Sequence, residues 1–212
     1  MFNRTQKFVT SLSARAQAFR AKSTSAAPVP DGHVVPYQGT VQAMHWAMGG
    51  SVLGAFAYVN LAQQTKDKEK KMDYMFIHKS FGTAAAMLLV PRLAIKVLSK
   101  SPGPLADNLM KHVATASHTA MYGMLALMPL TGVAMGYYGG KGLPFFTTTL
   151  PGATGDSKDG KFAGKMFKLH KQFGWWFEML FLAHLGGVAF HFARGEAILS
   201  RILPGLGRVK KP

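Results

Sequence analysis

Four long apolar stretches alternate with shorter polar segments along the chain. They cover about residues 41–65, 76–98, 112–138 and 169–192. The first and third contain no charged residue, and Lys79, Pro91 and Arg92 interrupt the second. A helix needs about 20 mainly apolar residues to cross the hydrocarbon core of a bilayer. The pattern therefore predicts an all-α membrane protein, a four-transmembrane-helix up-and-down bundle.

Composition supports the membrane assignment. Charged residues make up 16% of the chain, below the roughly 25% of a soluble globular domain. The net charge of +16 would suit nucleic acid, but the basic residues lie mainly in the amino-terminal segment, the loops and the tail. Basic residues beside apolar spans are expected at lipid headgroups. We therefore expect membrane lipid, and no nucleic acid, as a partner.

The chain contains no cysteine. Disulfides, thiolate metal sites, iron–sulfur clusters and covalent c-type haem attachment are therefore excluded. A haem or metal would depend on histidine, methionine or carboxylate ligands. Eight histidines are available.

The first 25 residues have the composition of a mitochondrial transit peptide. They are rich in Ser and Ala, contain no acidic residue, and include Arg4, Lys7, Arg15, Arg20 and Lys22. The alternative is a basic tail that lies on a surface. We interpret residues 1–25 as the transit peptide, 26–40 as a linker, 41–206 as the membrane domain and 207–212 as a basic tail.

Antiparallel packing of four spans sorts the histidines by membrane side. Both chain ends lie on one side, which we call the terminal side, although nearly balanced lysine and arginine counts do not orient the protein. The opposite side receives only His78 and His170, so topology forces that pair if a bis-histidine site exists there. The terminal side receives a larger set: His45, His112, His118, His184 and His191.

The spacing of His170 and His184 predicts two stacked cofactor sites. Fourteen residues place both on nearly one helical face, about 21 Å apart. Two imidazoles from facing helices are a usual way for a membrane bundle to hold haem b. The predicted iron ligands are therefore histidines, and both sites would contain haem b.

Glycines four residues after three histidines would leave room for a flat porphyrin. They are Gly49, Gly82 and Gly174, one turn beyond His45, His78 and His170. Glycine also allows membrane helices to approach closely, and this alternative stays open.

Other polar residues admit more than one role. Arg92 could pair with a haem propionate or extend to a headgroup. We expect His118 to donate a hydrogen bond between helices, or to a haem edge or quinone, rather than to bind iron. Glu178 could bond another helix or relay a proton.

Several short motifs, in this order and spacing, resemble the bacterial-type cytochrome b561 family, which is related to the b-type cytochrome subunit of nickel–iron hydrogenases. The resemblance covers about residues 38–206. The motifs are Met44-His45-Trp46, His78-Lys79-Ser80-Phe81-Gly82, His118 with Tyr122, a Met128-Pro129-Leu130-Thr131-Gly132 turn, Gly142-Leu143-Pro144-Phe145-Phe146, His170 with His184, and Ala197 to Gly205. The resemblance implies His45 with His184 for one haem and His78 with His170 for the other.

The function that the resemblance implies is electron transfer within or across a membrane, here the inner mitochondrial membrane. Ubiquinol or ubiquinone would be the exchange partner, and superoxide could react at one face, which would make the protein an electron-transfer oxidoreductase. An alternative is an accessory structural subunit of a respiratory-chain complex or supercomplex that keeps the fold. A haem-free bundle that moves protons is the third hypothesis.

Overall fold

The structure is a computed structural model that describes residues 37–99, 108–195 and 199–203. Its helices are α1 (Gly39–Gln64), α2 (Lys68–Leu98), α3 (Asn108–Tyr138), α4 (Gly160–Ala193) and the short α5 (Leu199–Ile202). Strands β1 (Leu143–Phe145) and β2 (Thr148–Leu150) and a 3₁₀ turn (Gly155–Ser157) lie between α3 and α4. The predicted transit peptide, most of the linker and the basic tail lie outside the described residues.

In the part of the chain that the structure describes, three helices are long and apolar enough to cross a membrane: Lys68–Leu98, Lys111–Tyr138 and Gly155–Ala193. They confirm the second, third and fourth predicted spans. Helix α1 has 26 residues and no charge, but polar side chains such as Gln42, Ser51 and Asn60 make it less apolar. Gln42 and Ser51 are buried inside the bundle. Helix α1 corresponds to the first predicted span, and its role as a membrane span stays a prediction.

The helices extend beyond the predicted spans because apolarity marks the hydrocarbon core and not the helix ends. Helix α2 begins eight residues before 76, where Asp67 accepts hydrogen bonds from the backbone N–H groups of Glu69 and Lys70. Helix α4 begins nine residues before 169, where Asp159 accepts one from Phe162 at 2.8 Å. Both are N-caps, which satisfy helix donors in water.

Large apolar side chains cover the outside of the bundle. Val90 is 72% exposed and Leu130 is 62% exposed, whereas the buried core is small and includes Met48, Val52 and Phe177. A soluble monomer rarely exposes so large an apolar surface. The arrangement fits a protein whose outer face contacts lipid.

The bundle consists of two helical hairpins. Helix α1 packs closely along α2, and α3 packs closely along α4. Gly54 lies against the ring of Phe81, where an added Cβ would come within 2.7 Å of a ring carbon. Side chains join the hairpins, since the Phe56 and Phe177 ring centroids are 5.3 Å apart.

The segment before α4, predicted as a loop, contains a small antiparallel hairpin that docks on α2. Leu143 pairs with Leu150 and Phe145 with Thr148. The Phe146 N–H donates to the Oγ of Ser80, which is fully buried, at 2.9 Å. The Phe146 ring contacts Phe81 edge to face at 5.3 Å. This contact holds the hairpin beside the start of the second predicted span.

The predicted turn at Met128 to Gly132 is wrong. These residues lie inside α3, with Pro129 in the middle of the helix. A proline inside a membrane helix is tolerated because neighbouring groups can satisfy the freed carbonyl.

The chain after α4 returns to the start of α1. The Arg201 carbonyl accepts from the Tyr37 N–H and from Gln42 Nε2, both at 2.9 Å. The Ile202 carbonyl accepts from Trp46 Nε1 at 2.9 Å. Carbonyls at a helix end lack partners within the helix, so these bonds tie the helix that carries His45 to the α5 segment.

Candidate functional site

His78 on α2 and His170 on α4 lie close together on the side of the bundle opposite the terminal side. Their ring centroids are 6.3 Å apart, with an interplanar angle of 76°. Because they belong to different helical hairpins, the space between them lies between the two hairpins.

Hydrogen bonds orient both rings. The Nδ1 of His78 lies 2.8 Å from the Ala55 carbonyl oxygen, and that of His170 lies 3.1 Å from the Met128 carbonyl oxygen. A carbonyl can only accept, so each Nδ1 carries the proton and donates. The Nε2 of each ring then keeps its lone pair, the form in which imidazole binds a metal. Thr131 Oγ1, 3.0 Å from the same Nδ1 of His170, adds a second polar contact.

A cavity of about 590 Å³ contains both of these rings in its wall. This volume lies within the range of about 300–1,000 Å³ typical of ligand and cofactor sites. Most of its lining is apolar, including Phe56, Leu125 and Phe177. The wall also includes Gly82 and Gly132, which keep the space open.

The three predicted glycines differ in their surroundings. A Cβ added to Gly49 or Gly82 would meet nothing within 4 Å, whereas one added to Gly174 would meet Met128 Cε at 3.5 Å. Gly49 and Gly82 therefore border open space, and Gly174 lies in ordinary contact with α3. A Cβ at Gly132 would approach the His170 ring to 3.2 Å, so this glycine makes room for the histidine.

Three histidines converge on the terminal side. The His184 centroid lies 6.4 Å from that of His45 and 5.6 Å from that of His118. His118 is exposed, whereas His45 and His184 are partly buried. His112, by contrast, is exposed at the start of α3.

Arg92 points toward this histidine group. Its Nη1 donates to the Val41 carbonyl at 3.3 Å, and its guanidinium lies 5.8 Å from the centre of the Tyr122 ring. Its charge acts on His45 and His118. The Nε atom is buried and has no hydrogen-bond partner in the described part of the chain. Arg92 thus points into the bundle, and an anionic group there could bind it.

Comparison with known families identifies the family of this chain. The model of the prokaryotic cytochrome b561 family matches residues 37–205, most of the chain. The chain belongs to this family. A comparison with curated protein sequences gives no significant match. Membership in the cytochrome b561 family implies a membrane protein that binds haem b and transfers electrons.

The residues of this cytochrome b561 chain fit haem b. Iron bonded to two opposed imidazole nitrogens at about 2 Å, each nitrogen roughly 1.1 Å from its ring centre, separates the ring centres by about 6.2 Å. The separations for His78 with His170 and for His45 with His184 are close to that value, and the one for His118 with His184 is shorter. The apolar cavity, the free Nε2 atoms and the open space at Gly82 complete the fit.

A leucine at Gly82 should separate haem binding from folding. We expect Gly82→Leu to keep its helical content, since open space surrounds the position and leucine is favoured over glycine in a helix by about 1 kcal/mol. The leucine would project into the cavity between His78 and His170, so the haem content should fall by about one per protein. The measurement is the haem-to-protein ratio together with circular dichroism.

Gly54→Ala is the matched control. Its Cβ would meet the Phe81 ring, so we expect a loss of roughly 1–3 kcal/mol in stability from overpacking, without selective loss of one haem. An unchanged haem ratio in Gly82→Leu would contradict the position of the site.

Several residues that the structure places at this site had no role there assigned to them from the sequence. Met128, Thr131 and Lys79 were named within the family motifs without a role at the site, and Ala55 and Lys141 were not assigned to it. The Ala55 and Met128 carbonyls and Thr131 contact the histidine rings, and the two lysines line the cavity. No sequence signal separates Lys141 from the other loop lysines, because only the docked β-hairpin brings it to α2.

Proposed function

We propose that this cytochrome b561 protein holds two haems b and transfers electrons across the membrane. His78 and His170 would be the iron ligands on the opposite side, and His45 and His184 those on the terminal side. The observation that carries the proposal is the two pairs of neighbouring histidine rings, each of which includes a histidine of α4. Their ring separations are 6.3 and 6.4 Å, and about 21 Å of helix separates His170 from His184.

Groups of this protein would orient the haem ligands, exclude water and supply a positive charge. The Ala55 and Met128 carbonyls fix the tautomers of His78 and His170, which keeps both Nε2 atoms available. Apolar residues such as Phe56 and Phe177 exclude water from the cavity. Arg92 offers a partly buried cation on the terminal side. When bound, haem b supplies a one-electron redox couple at each site.

We further propose ubiquinol or ubiquinone as the exchange partner. The chain has an extensive apolar outer surface, which a lipid-soluble reactant can reach by diffusion within the bilayer. The composition of residues 1–25 supports the inner mitochondrial membrane as the location. The same reasoning makes other respiratory-complex subunits accessible partners there.

The test is a reduced-minus-oxidised spectrum of the purified full-length protein, followed by addition of a ubiquinol analogue. We expect a b-type α-band, a ratio of two haems per chain, and haem reduction by the quinol. A protein that lacks the α-band would disprove the haem assignment. Haem that dithionite reduces but quinol does not would disprove the quinone assignment alone.

A further inference from the structure

Two lysines from separate segments line the cavity between His78 and His170. Lys79 follows His78 on α2 and is half-buried, and Lys141 precedes β1 and is exposed. Their charges act on each other. The sequence separates them by 62 positions, so the fold alone makes them neighbours.

Among the described residues, no carboxylate forms an ion pair with either lysine. The cavity wall contains no Asp or Glu. Within residues 37–99, 108–195 and 199–203, neither lysine forms a salt bridge. A half-buried ammonium beside apolar surface loses solvation that only an anion or another polar group can replace. The pair is therefore arranged to receive negative charge.

The loop that carries Lys141 is held in place by specific contacts. Gly140 and Gly142 have φ angles of 69° and 71°, a left-handed conformation that glycine adopts without steric cost. A Cβ at Gly142 would strike the Leu150 carbonyl oxygen. With the bond from the Phe146 N–H to Ser80, these features fix the loop against α2, so Lys141 occupies a defined position at the cavity.

We propose that Lys79 and Lys141 bind the two propionate carboxylates of the haem held between His78 and His170. This inference rests on the proposed function. Haem b is a flat apolar ring with two carboxylates at one edge, and the cavity combines apolar walls with two cations. The lysine pair would match on this side the role that Arg92 offers on the terminal side. A free anion from water would need the cations but not the large apolar volume.

The experiment measures how firmly each haem is retained. Lys79→Met, Lys141→Met and the double variant would be mixed with excess apomyoglobin, and haem transfer followed by absorbance. We expect the double variant to lose one of its two haems about tenfold faster, as the loss of a charge-assisted hydrogen bond implies. Redox titration should show a lower midpoint potential for that haem, because removal of a nearby cation disfavours the reduced form.

Two variants control for general effects. Lys165→Met removes an exposed lysine of α4 that does not line the cavity, and it should match the original protein. Lys79→Arg keeps the charge and should retain haem better than Lys79→Met. If the double variant fails to fold, Lys141→Met decides the question, since this exposed residue can change without loss of packing.

Unchanged haem transfer and unchanged potentials in the double variant would overturn the proposal. A faster loss in Lys165→Met equal to that in Lys141→Met would also overturn it. If the proposed function itself were wrong, the result would be different, because the unmodified protein would show no b-type spectrum.

Discussion

Replacing His170 by alanine is expected to leave a folded protein that carries one haem b instead of two. His170 is the α4 partner of His78 at 6.3 Å, and no other histidine is expected on that membrane side. The Met128 carbonyl and Thr131 that orient the ring cannot replace it as an iron ligand. The loss should be complete rather than graded, because His78 would be the only imidazole left at that site and the second iron ligand would be missing.

The measurement is the haem-to-protein ratio by pyridine haemochrome assay, with low-temperature electron paramagnetic resonance to count low-spin ferric signals. Imidazole added to His170→Gly should restore part of the second signal, since the substitution leaves a ring-sized space. His112→Ala is the matched control, because His112 is exposed on α3 and should be dispensable. Two haems in purified His170→Ala would refute the assignment of this pair.

The second large effect concerns His184, which lies between two candidate partners. We expect His45→Ala to lose the terminal-side haem and His118→Ala to keep it. The separation of 6.4 Å for His45 matches the spacing for iron between two imidazoles, whereas 5.6 Å for His118 is shorter than that spacing. His45 is also the better buried of the two, and α5 holds its helix through Trp46 and Gln42.

The same haem ratio and resonance signals distinguish the two variants. His118→Ala should shift the potential of the retained haem at most slightly, as expected for a neighbour that does not bind iron. If His118→Ala lost a haem while His45→Ala kept both, His118 would be the ligand, and the resemblance-based assignment of His45 would be wrong.

The apolar stretches were sufficient to predict three spans correctly, because a helix in the hydrocarbon core is stabilised mainly by a continuous run of apolar residues. The positions of the helix ends could not be predicted from the apolar stretches. Asp67 and Asp159 cap helices that continue into water, where hydropathy carries no information about them. The docked β-hairpin was missed because its strands are three residues long and depend on Ser80 and Phe81 of another element.

The candidate site, too, could be predicted from the sequence only in part. Counting membrane sides paired His78 with His170, and the structure brings these rings together. The choice among the terminal-side histidines depended on the family resemblance, because side and depth alone left five candidates. The structure adds ring separations, and it favours inward placement of Arg92 through the buried, unpartnered Nε.

The sequence by itself determined the membrane environment, the approximate positions of three spans and the absence of thiolate chemistry. It also determined the 14-residue spacing on α4, because hydropathy and helical periodicity are properties of contiguous residues. Only the tertiary structure decided which carbonyls orient the histidines, which glycines border open space, and that Lys141 lines the same cavity as Lys79. Those contacts join residues from different elements, and the packing of the helices and the docked hairpin sets their distances.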